Sequence, residues 1–301
     1  MIKPDSIARI GERVVIASVS GGKDSTAMCL ALKEAGVPFR PVFLDTGWEH
    51  EDTYRYLKEY LPQFIGPITF VTPATKVRPE AISAVEKLEK MLGRESAMIR
   101  LVLHKKMFPS KRRRFCTQQL KVFAMRDFLE TLEDEPVNTT GVRRSESQAR
   151  SKLPEWEDWK VADIEQWRPI IDWSDDDIVD IHTRHGVMPN PLYLKGAERV
   201  GCYPCIYARK AEIKNVADQS PERMELLTEM ERILSDWAGA PRSWFQSKLK
   251  EKDGTTTSWP LHKVIQWSRT SRGGFQFELF SAPKHEWGCM RWGVCDTGGD
   301  Q

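Results

Sequence analysis

The strand-length run Val14-Val15-Ile16-Ala17-Ser18-Val19 passes directly into Ser20-Gly21-Gly22-Lys23-Asp24-Ser25, and then into Thr26-Ala27-Met28-Cys29-Leu30-Ala31-Leu32. The first segment is β-branched, and the last is a good helix former that stops at Gly36 before Pro38, so the order is strand, loop, helix. The turn must therefore sit at a helix N-terminus. Ser20, Gly21 and Gly22 let backbone amides approach an anion closely, the helix dipole favours negative charge, and Lys23 and Ser25 add a cation and a hydroxyl donor. An anionic ligand is the natural occupant. The spacing is not the Gly-x-x-x-x-Gly-Lys of Walker-type NTPases, which disfavours a kinase or GTPase.

The chain has 301 residues, 40% of them hydrophobic, enough for one large or two modest domains with a sizeable core. Its formal charge of +2 leaves no global polyanion footprint, although local basic clusters remain open. No apolar run is long enough to cross a bilayer, and Met1-Ile2-Lys3-Pro4-Asp5 has no signal-peptide core, so a cytoplasmic protein without membrane contact is expected. Six cysteines in that compartment read as ligands, nucleophiles or core residues rather than disulfides.

Further along, Pro41-Val42-Phe43-Leu44 predicts the next parallel strand, ending in Asp45-Thr46-Gly47. Residues 51–60 read as a helix and residues 68–71 as a third strand, giving the βαβαβ order of a doubly wound α/β sheet. In such sheets ligands collect at the carboxyl ends of strands, where Ser18, Asp45 and Gly47 would stand. Residues 79–92 are helical in pattern, with residues 101–107 as an extension. The dense basic run of residues 105–114 is divided evenly between a solvated face and a phosphate grip. Gly141 fits a tight turn after a fourth strand, and Arg143, Arg144 and Arg150 offer guanidinium forks for phosphate or sulfate; the plainer alternative is a salt-bridged loop closed by Glu146. Ser174 followed by three aspartates reads as a helix N-cap rather than a metal site.

Several of these segments together resemble one family. Ser-Gly-Gly-Lys-Asp-Ser is similar to the pyrophosphate loop of the ATP pyrophosphatase group. Arg-Phe-Cys-Thr-x-x-Leu-Lys at 114–121, Gly-Val-Arg-Arg-Ser at 141–145, Trp-Arg-Pro-Ile at 167–170, Asn-Pro-Leu-Tyr at 190–193 and Gly-Cys-Tyr-Pro-Cys at 201–205 resemble the phosphoadenosine phosphosulfate reductase family. The likeness runs in order over about residues 14 to 235. It implies an adenine nucleotide alpha hydrolase-like fold, a mostly parallel α/β sheet over residues 1–235, with residues 236–301 as a smaller accessory region.

Cys202 and Cys205 have ligand spacing, as either a metal half-site or a redox pair. In the family's adenylylsulfate-reducing members a cysteine pair at the position of Phe115-Cys116 ligates an iron-sulfur cluster; here one of the two is missing. The resemblance therefore implies a set of Cys116, Cys202 and Cys205 with Cys295 as fourth ligand and Cys289 as the alternative, holding a 4Fe-4S cluster or, second, zinc. Cys29, among apolar neighbours, reads as packing. Beyond residue 236, Trp237, Trp244, Trp259, Trp267, Trp287 and Trp292 alternate with Arg242, Lys248, Lys250, Arg269, Arg272 and Arg291. That pattern suits either base stacking with phosphate contacts or the plugging of a subdomain edge.

The intact loop, and a tail reading Glu286-Trp287-Gly288-Cys289 without a following histidine, set the chain apart from the family's phosphoadenosine phosphosulfate reductases. It is closer to the ATP sulfurylase small subunit and to DNA phosphorothioation enzymes. By that likeness ATP with Mg2+ is bound by Ser18, Ser20, Gly21, Gly22, Lys23, Asp24, Ser25, Asp45, Gly47, Gly141 and Arg150, with Lys23, Asp24, Arg143 and Arg144 as the catalytic set. The implied reaction is adenylation of an acceptor with loss of pyrophosphate, the acceptor being nucleic acid in one version and the sulfur coming from a donor protein. A thiol-dependent sulfonucleotide reductase is the alternative, and a nucleotide-binding component without turnover the third reading. The oligomeric state is left open.

Overall fold

The computed structural model describes residues 2–245, 248–250 and 256–270. A short helix α1 (Pro4–Ile10) leads into β1 (Val14–Val19), and α2 (Lys23–Glu34) follows the loop. Next come β2 (Phe39–Leu44), α3 (Glu51–Arg55) running on through a π-helical turn at Tyr56–Tyr60, α4 (Pro62–Ile65) and β3 (Thr69–Val71). Two helices, α5 (Ile82–Leu92) and α6 (Ala97–Lys105), precede α7 (Phe115–Thr117), which continues through a second π-helical turn, Gln118–Phe123, into α8 (Ala124–Leu129). The sheet is completed by β4 (Pro136–Thr140), β5 (Trp156–Trp159) and β6 (Ile164–Trp167). The remaining elements are α9 (Asp175–Arg184), α10 (Pro191–Leu194), α11 (Lys210–Gln219), α12 (Pro221–Ala238), the β7 (Lys248–Lys250) and β8 (Thr256–Ser258) pair, and α13 (Leu261–Ser268).

The main sheet has the order β3-β2-β1-β4-β6-β5, parallel except for the edge strand β5. It is the doubly wound α/β sheet expected from the sequence. Alternation along β1 sends Val15, Ala17 and Val19 into one core with α2 and α9, while Ile16 joins Val42, Met125 and Leu129 on the other face. Both faces are thus covered, which is why these strands read as nearly continuous apolar runs. From Thr26 to Leu32 every residue of α2 is buried. Burial of Met28, Leu30 and Leu32 contributes roughly 1.5–3 kcal/mol each, and it fixes the helix whose first turn carries the loop.

The strand order reverses between β1 and β4, so the crevice at their carboxyl ends is the switch point where such sheets bind ligands. Two details differ from the sequence reading. Residues 97–105 form a separate helix, because Gly93 takes φ +80° at the end of α5 and Ser96 caps α6 by accepting the Ile99 N–H at 3.3 Å. The β5–β6 hairpin was not expected; Trp156 stacks on Trp167 at 5.2 Å and closes the sheet edge.

A second apolar cluster gathers Trp48, α5, α6 and α12. Trp244 and Leu261 belong to it, with Trp244 against Trp48 at 5.2 Å and Phe108 at 5.5 Å. The core therefore continues past residue 236, and Trp244 is a packing residue rather than a stacking platform. Among the described residues no helix is long and apolar enough to cross a membrane.

Candidate functional site

The loop of residues 20–25 sits at the carboxyl end of β1, and its own side chains hold it open. Ser20 N–H donates to Ser25 Oγ at 3.1 Å, Ser25 Oγ donates to the Gly22 carbonyl at 3.0 Å, and Gly22 N–H reaches Ser20 Oγ at 3.4 Å. Gly21 takes φ +73°, and a Cβ there would come within 3.1 Å of Thr53 Cγ2. The amides of the first turn of α2 have no partner within the helix, and Lys23 N–H is met from outside by the Tyr193 hydroxyl at 3.2 Å. Lys23 is nearly buried, with its ammonium 5.9 Å from the Tyr193 ring centre. Buried His182 lies 3.0 Å from the Lys23 carbonyl and 3.2 Å from that of Val187, pinning α9 to the loop, and burial holds its pKa below the usual imidazole value.

The turn after β4 presses against the same helix. A Cβ on Gly141 would fall 2.7 Å from the Asp24 carbonyl oxygen and 2.9 Å from Ser25 Cα. Only glycine permits that approach.

Arg143, expected to grip an anion, is instead occupied by the protein. It is 3% exposed; Nε donates to Asp24 Oδ1 at 2.6 Å, one terminal nitrogen to Asp175 Oδ1 at 2.6 Å, and the other to Ser145 Oγ and the Trp173 carbonyl. Burial raises the Asp24 carboxyl above its ordinary pKa, and the Arg143 charge is the largest opposing influence. Arg144 turns the other way, to Asp172 and the Leu153 carbonyl, and the half-buried Arg150 pairs with Glu146 at 2.5 Å. The salt-bridged reading of this loop accounts for the described contacts. Ser174 and Asp177 form the expected capping box.

At the end of β2, Asp45 Oδ1 accepts Gly47 N–H at 2.9 Å and the Tyr54 hydroxyl at 2.6 Å. Gly47, at φ +66°, packs so tightly on Glu95 and Ser96 that a Cβ would lie 2.4 Å from the Glu95 carbonyl oxygen. Buried Glu49 accepts from Thr46, Tyr54 and the Trp48 amide. Ser18 lies deeper in the sheet, its hydroxyl 3.5 Å from Asn138 Oδ1.

The thiols of Cys116, Cys202 and Cys205 are close enough to influence one another electrostatically, together with the Lys121 ammonium and the Glu49 carboxylate. Burial pushes the Cys202 thiol up, against Lys121, while the neighbouring Cys202 charge raises Lys121 in turn. Cys205 Sγ accepts Tyr207 N–H at 3.5 Å. The donor set is soft and of the kind that suits iron-sulfur or zinc. Among the described residues, however, no three His, Cys, Asp or Glu side chains are arranged to hold one metal ion, and both Cys289 and Cys295 lie outside them, as do Trp287, Trp292, Arg272 and Arg291. Cys29 is buried in the core, as expected.

Sequence reasoning missed the supporting cast. His182, Thr53, Glu49 and Tyr54 were not singled out, and Lys121 was visible only as the end of the motif at 114–121. Tyr193 was visible as part of Asn-Pro-Leu-Tyr, but not its contact with the loop.

The description of the phosphoadenosine phosphosulfate reductase domain matches residues 14–208. An uncharacterised 37.8 kDa protein of Escherichia phage 186 is 34% identical over 322 aligned positions, covering 93% of this chain and 96% of that protein. An adenosine 5′-phosphosulfate reductase of Streptomyces coelicolor is 41% identical over 68 residues, 22% of this chain and 28% of the reductase. Among solved structures, a phosphoadenylyl-sulfate reductase from Candida auris, in a phosphate complex, aligns with a TM-score of 0.48 at 17% identity, over 68% of this chain and 90% of that one.

Proposed function

This chain belongs to the phosphoadenosine phosphosulfate reductase family, and from that premise we propose that it binds ATP on the loop of residues 20–25 and transfers the adenylyl group to an acceptor, releasing pyrophosphate. The observation that carries this reading is the intact loop itself, Ser20 to Ser25, at a helix N-terminus in the switch-point crevice between β1 and β4. Backbone amides and Lys23 hold the β- and γ-phosphates. As an acceptor oxygen attacks the α-phosphorus, the bond to the β-phosphate oxygen breaks, and the charge that grows on pyrophosphate falls where those donors already point. Arg143 acts through Asp24, keeping the first turn of α2 in place. Arg150, at the exposed rim, is the guanidinium that an incoming anion would take from Glu146.

Magnesium, when bound, neutralises the leaving phosphates, and the oxygen donors Asp45 and Asp24 are the carboxylates suited to holding it. Cys116, Cys202 and Cys205, with Cys289 or Cys295, form the thiolate set proposed for an iron-sulfur cluster, with zinc second. A sulfur nucleophile from a donor protein then displaces AMP from the adenylated acceptor: the new bond to sulfur forms as the bond to the AMP oxygen breaks.

A second reading, thiol-dependent reduction of a sulfonucleotide, is favoured by the likeness to adenosine 5′-phosphosulfate reductases. One experiment addresses both. The protein is purified anaerobically, its absorbance spectrum, iron and zinc are measured, and pyrophosphate is assayed with ATP and magnesium. Pyrophosphate release abolished in Lys23→Ala supports adenylation, and metal lost in Cys202→Ala supports the thiolate site. Sulfite release from a sulfonucleotide, without ATP consumption, would replace the first reading with the second.

A further inference from the structure

We propose that the exposed basic turn of residues 111–114, together with Tyr207, is a docking surface for single-stranded nucleic acid beside Cys116 and Cys205. This names the acceptor class and so rests on the adenylation reading above.

The chain is close to neutral, yet residues 105–114 hold six cationic side chains and no acidic one. The structure presents four of them together. Ser110 and Arg113 close a turn on each other through backbone bonds of 3.1 and 3.2 Å, which projects Lys111 and Arg112 into solvent. Lys111, Arg112, Arg113 and Arg114 are all exposed, and none of them is in an ion pair among the described residues. A solvated charged face elsewhere on this molecule looks different: Arg232 is paired with both Glu229 and Asp236, and Arg184 with Glu34.

Tyr207 gives the patch a second component. The Lys111 ammonium lies 5.8 Å and the Arg114 guanidinium 5.3 Å from its ring centre, and its hydroxyl donates to the Lys111 carbonyl at 3.5 Å. Aromatic and guanidinium planes beside unpaired cations are what exposed bases and a phosphodiester backbone require. Insertion into a lipid surface is disfavoured, because Phe108, the large apolar residue of this run, is buried. The patch also has a direction. Arg114 is two residues from Cys116, and Tyr207 N–H is bonded to Cys205 Sγ, so a strand held here runs beside the thiols.

Four phosphate contacts on a single strand give a slope of about −3 in log affinity against log salt, or about 50-fold weaker binding between about 50 and 200 mM. The full-length protein is titrated with a fluorescein-labelled oligothymidylate across that range, beside the triple variant Lys111→Ala, Arg112→Ala, Arg113→Ala and a polyglutamate competitor of matched charge. Support is the steep slope in the parent, a slope near about −1 in the variant, weak competition by polyglutamate, and an unchanged melting temperature. Equal binding by the variant, salt-insensitive binding, or polyglutamate competing as well as the oligonucleotide each overturns the proposal; the last points to an acidic protein instead. Pyrophosphate release is assayed separately: salt-dependent binding without it keeps the surface and removes the adenylation reading.

Discussion

Replacing Arg143 with alanine separates a strut from a ligand-binding arm. Its guanidinium is 3% exposed and bonds Asp24 and Asp175 at 2.6 Å each. Asp175 is half exposed, so that pair is worth only about 0–1 kcal/mol. Asp24 is largely buried, and removing the partner of a buried carboxylate costs roughly 3–5 kcal/mol. The sum, about 4 kcal/mol, is a large share of the roughly 5–15 kcal/mol that holds a domain together. With a urea slope of about 3 kcal/mol per molar, the unfolding midpoint falls by about 1.3 M. The deficit also has a pH signature. Because burial raises the folded-state pKa of Asp24, the native protein binds more protons than the unfolded chain just above the ordinary carboxylate pKa, and stability falls as pH rises through that window. Losing Arg143 removes the main opposing charge and carries the window upward, so the variant is more impaired at neutral than at mildly acid pH. A variant with the parent's urea midpoint but ATP affinity reduced more than about tenfold, or 1.4 kcal/mol, would refute this reasoning and return Arg143 to the ligand.

Gly141→Ala places a methyl 2.7 Å from the Asp24 carbonyl, against backbone that cannot rotate away; a loss of at least about 1–3 kcal/mol in urea unfolding, with weakened ATP binding by calorimetry, is expected. Glu231 accepts Trp244 N–H at 3.0 Å and Leu261 N–H at 2.9 Å, while burial raises its pKa. Glu231→Ala leaves two buried amides unmet at about 1–3 kcal/mol each, and limited proteolysis is expected to cut sooner within residues 241–260. A cleavage rate equal to the parent's would show that these bonds do not hold the segment.

The parts legible in sequence were those whose chemistry is local. Strand, glycine loop and helix follow one another without interruption from Val14, so the binding end of the sheet could be placed from pattern alone. Gly141 was legible for a similar reason, since a glycine after a strand announces a close approach. The ion pair of Arg143 was not legible because a sequence shows which charges exist and not where they are satisfied: Asp24 lies 119 positions away. Trp244 was ambiguous in the same way. Alternating tryptophan and arginine fits a stacking surface equally well until Trp48 and Phe108 are seen to enclose the ring. The β5–β6 hairpin escaped notice because in Trp156-Glu157-Asp158-Trp159 two carboxylates, which strands disfavour, separate the aromatic residues.

The nucleotide crevice and the thiol cluster are physically one device, joined by the short segment that leaves β2. Asp45 and Glu49 share the Tyr54 hydroxyl at the crevice, while Trp48 between them faces the other way. Trp48 Nε1 donates to the Pro204 carbonyl at 3.1 Å, and its own carbonyl accepts Tyr203 N–H at 3.0 Å, so the backbone between Cys202 and Cys205 is hung on one residue. Arg223 from α12 lies 4.8 Å over the same indole, and Trp244 packs against it at 5.2 Å. A fully buried residue bonded to the cysteine turn once through its indole and once through its backbone carbonyl has little freedom to move alone. A shift of the β2 exit is therefore expected to reach the thiols, and Trp244, beyond α12, bears on this segment by packing against Trp48.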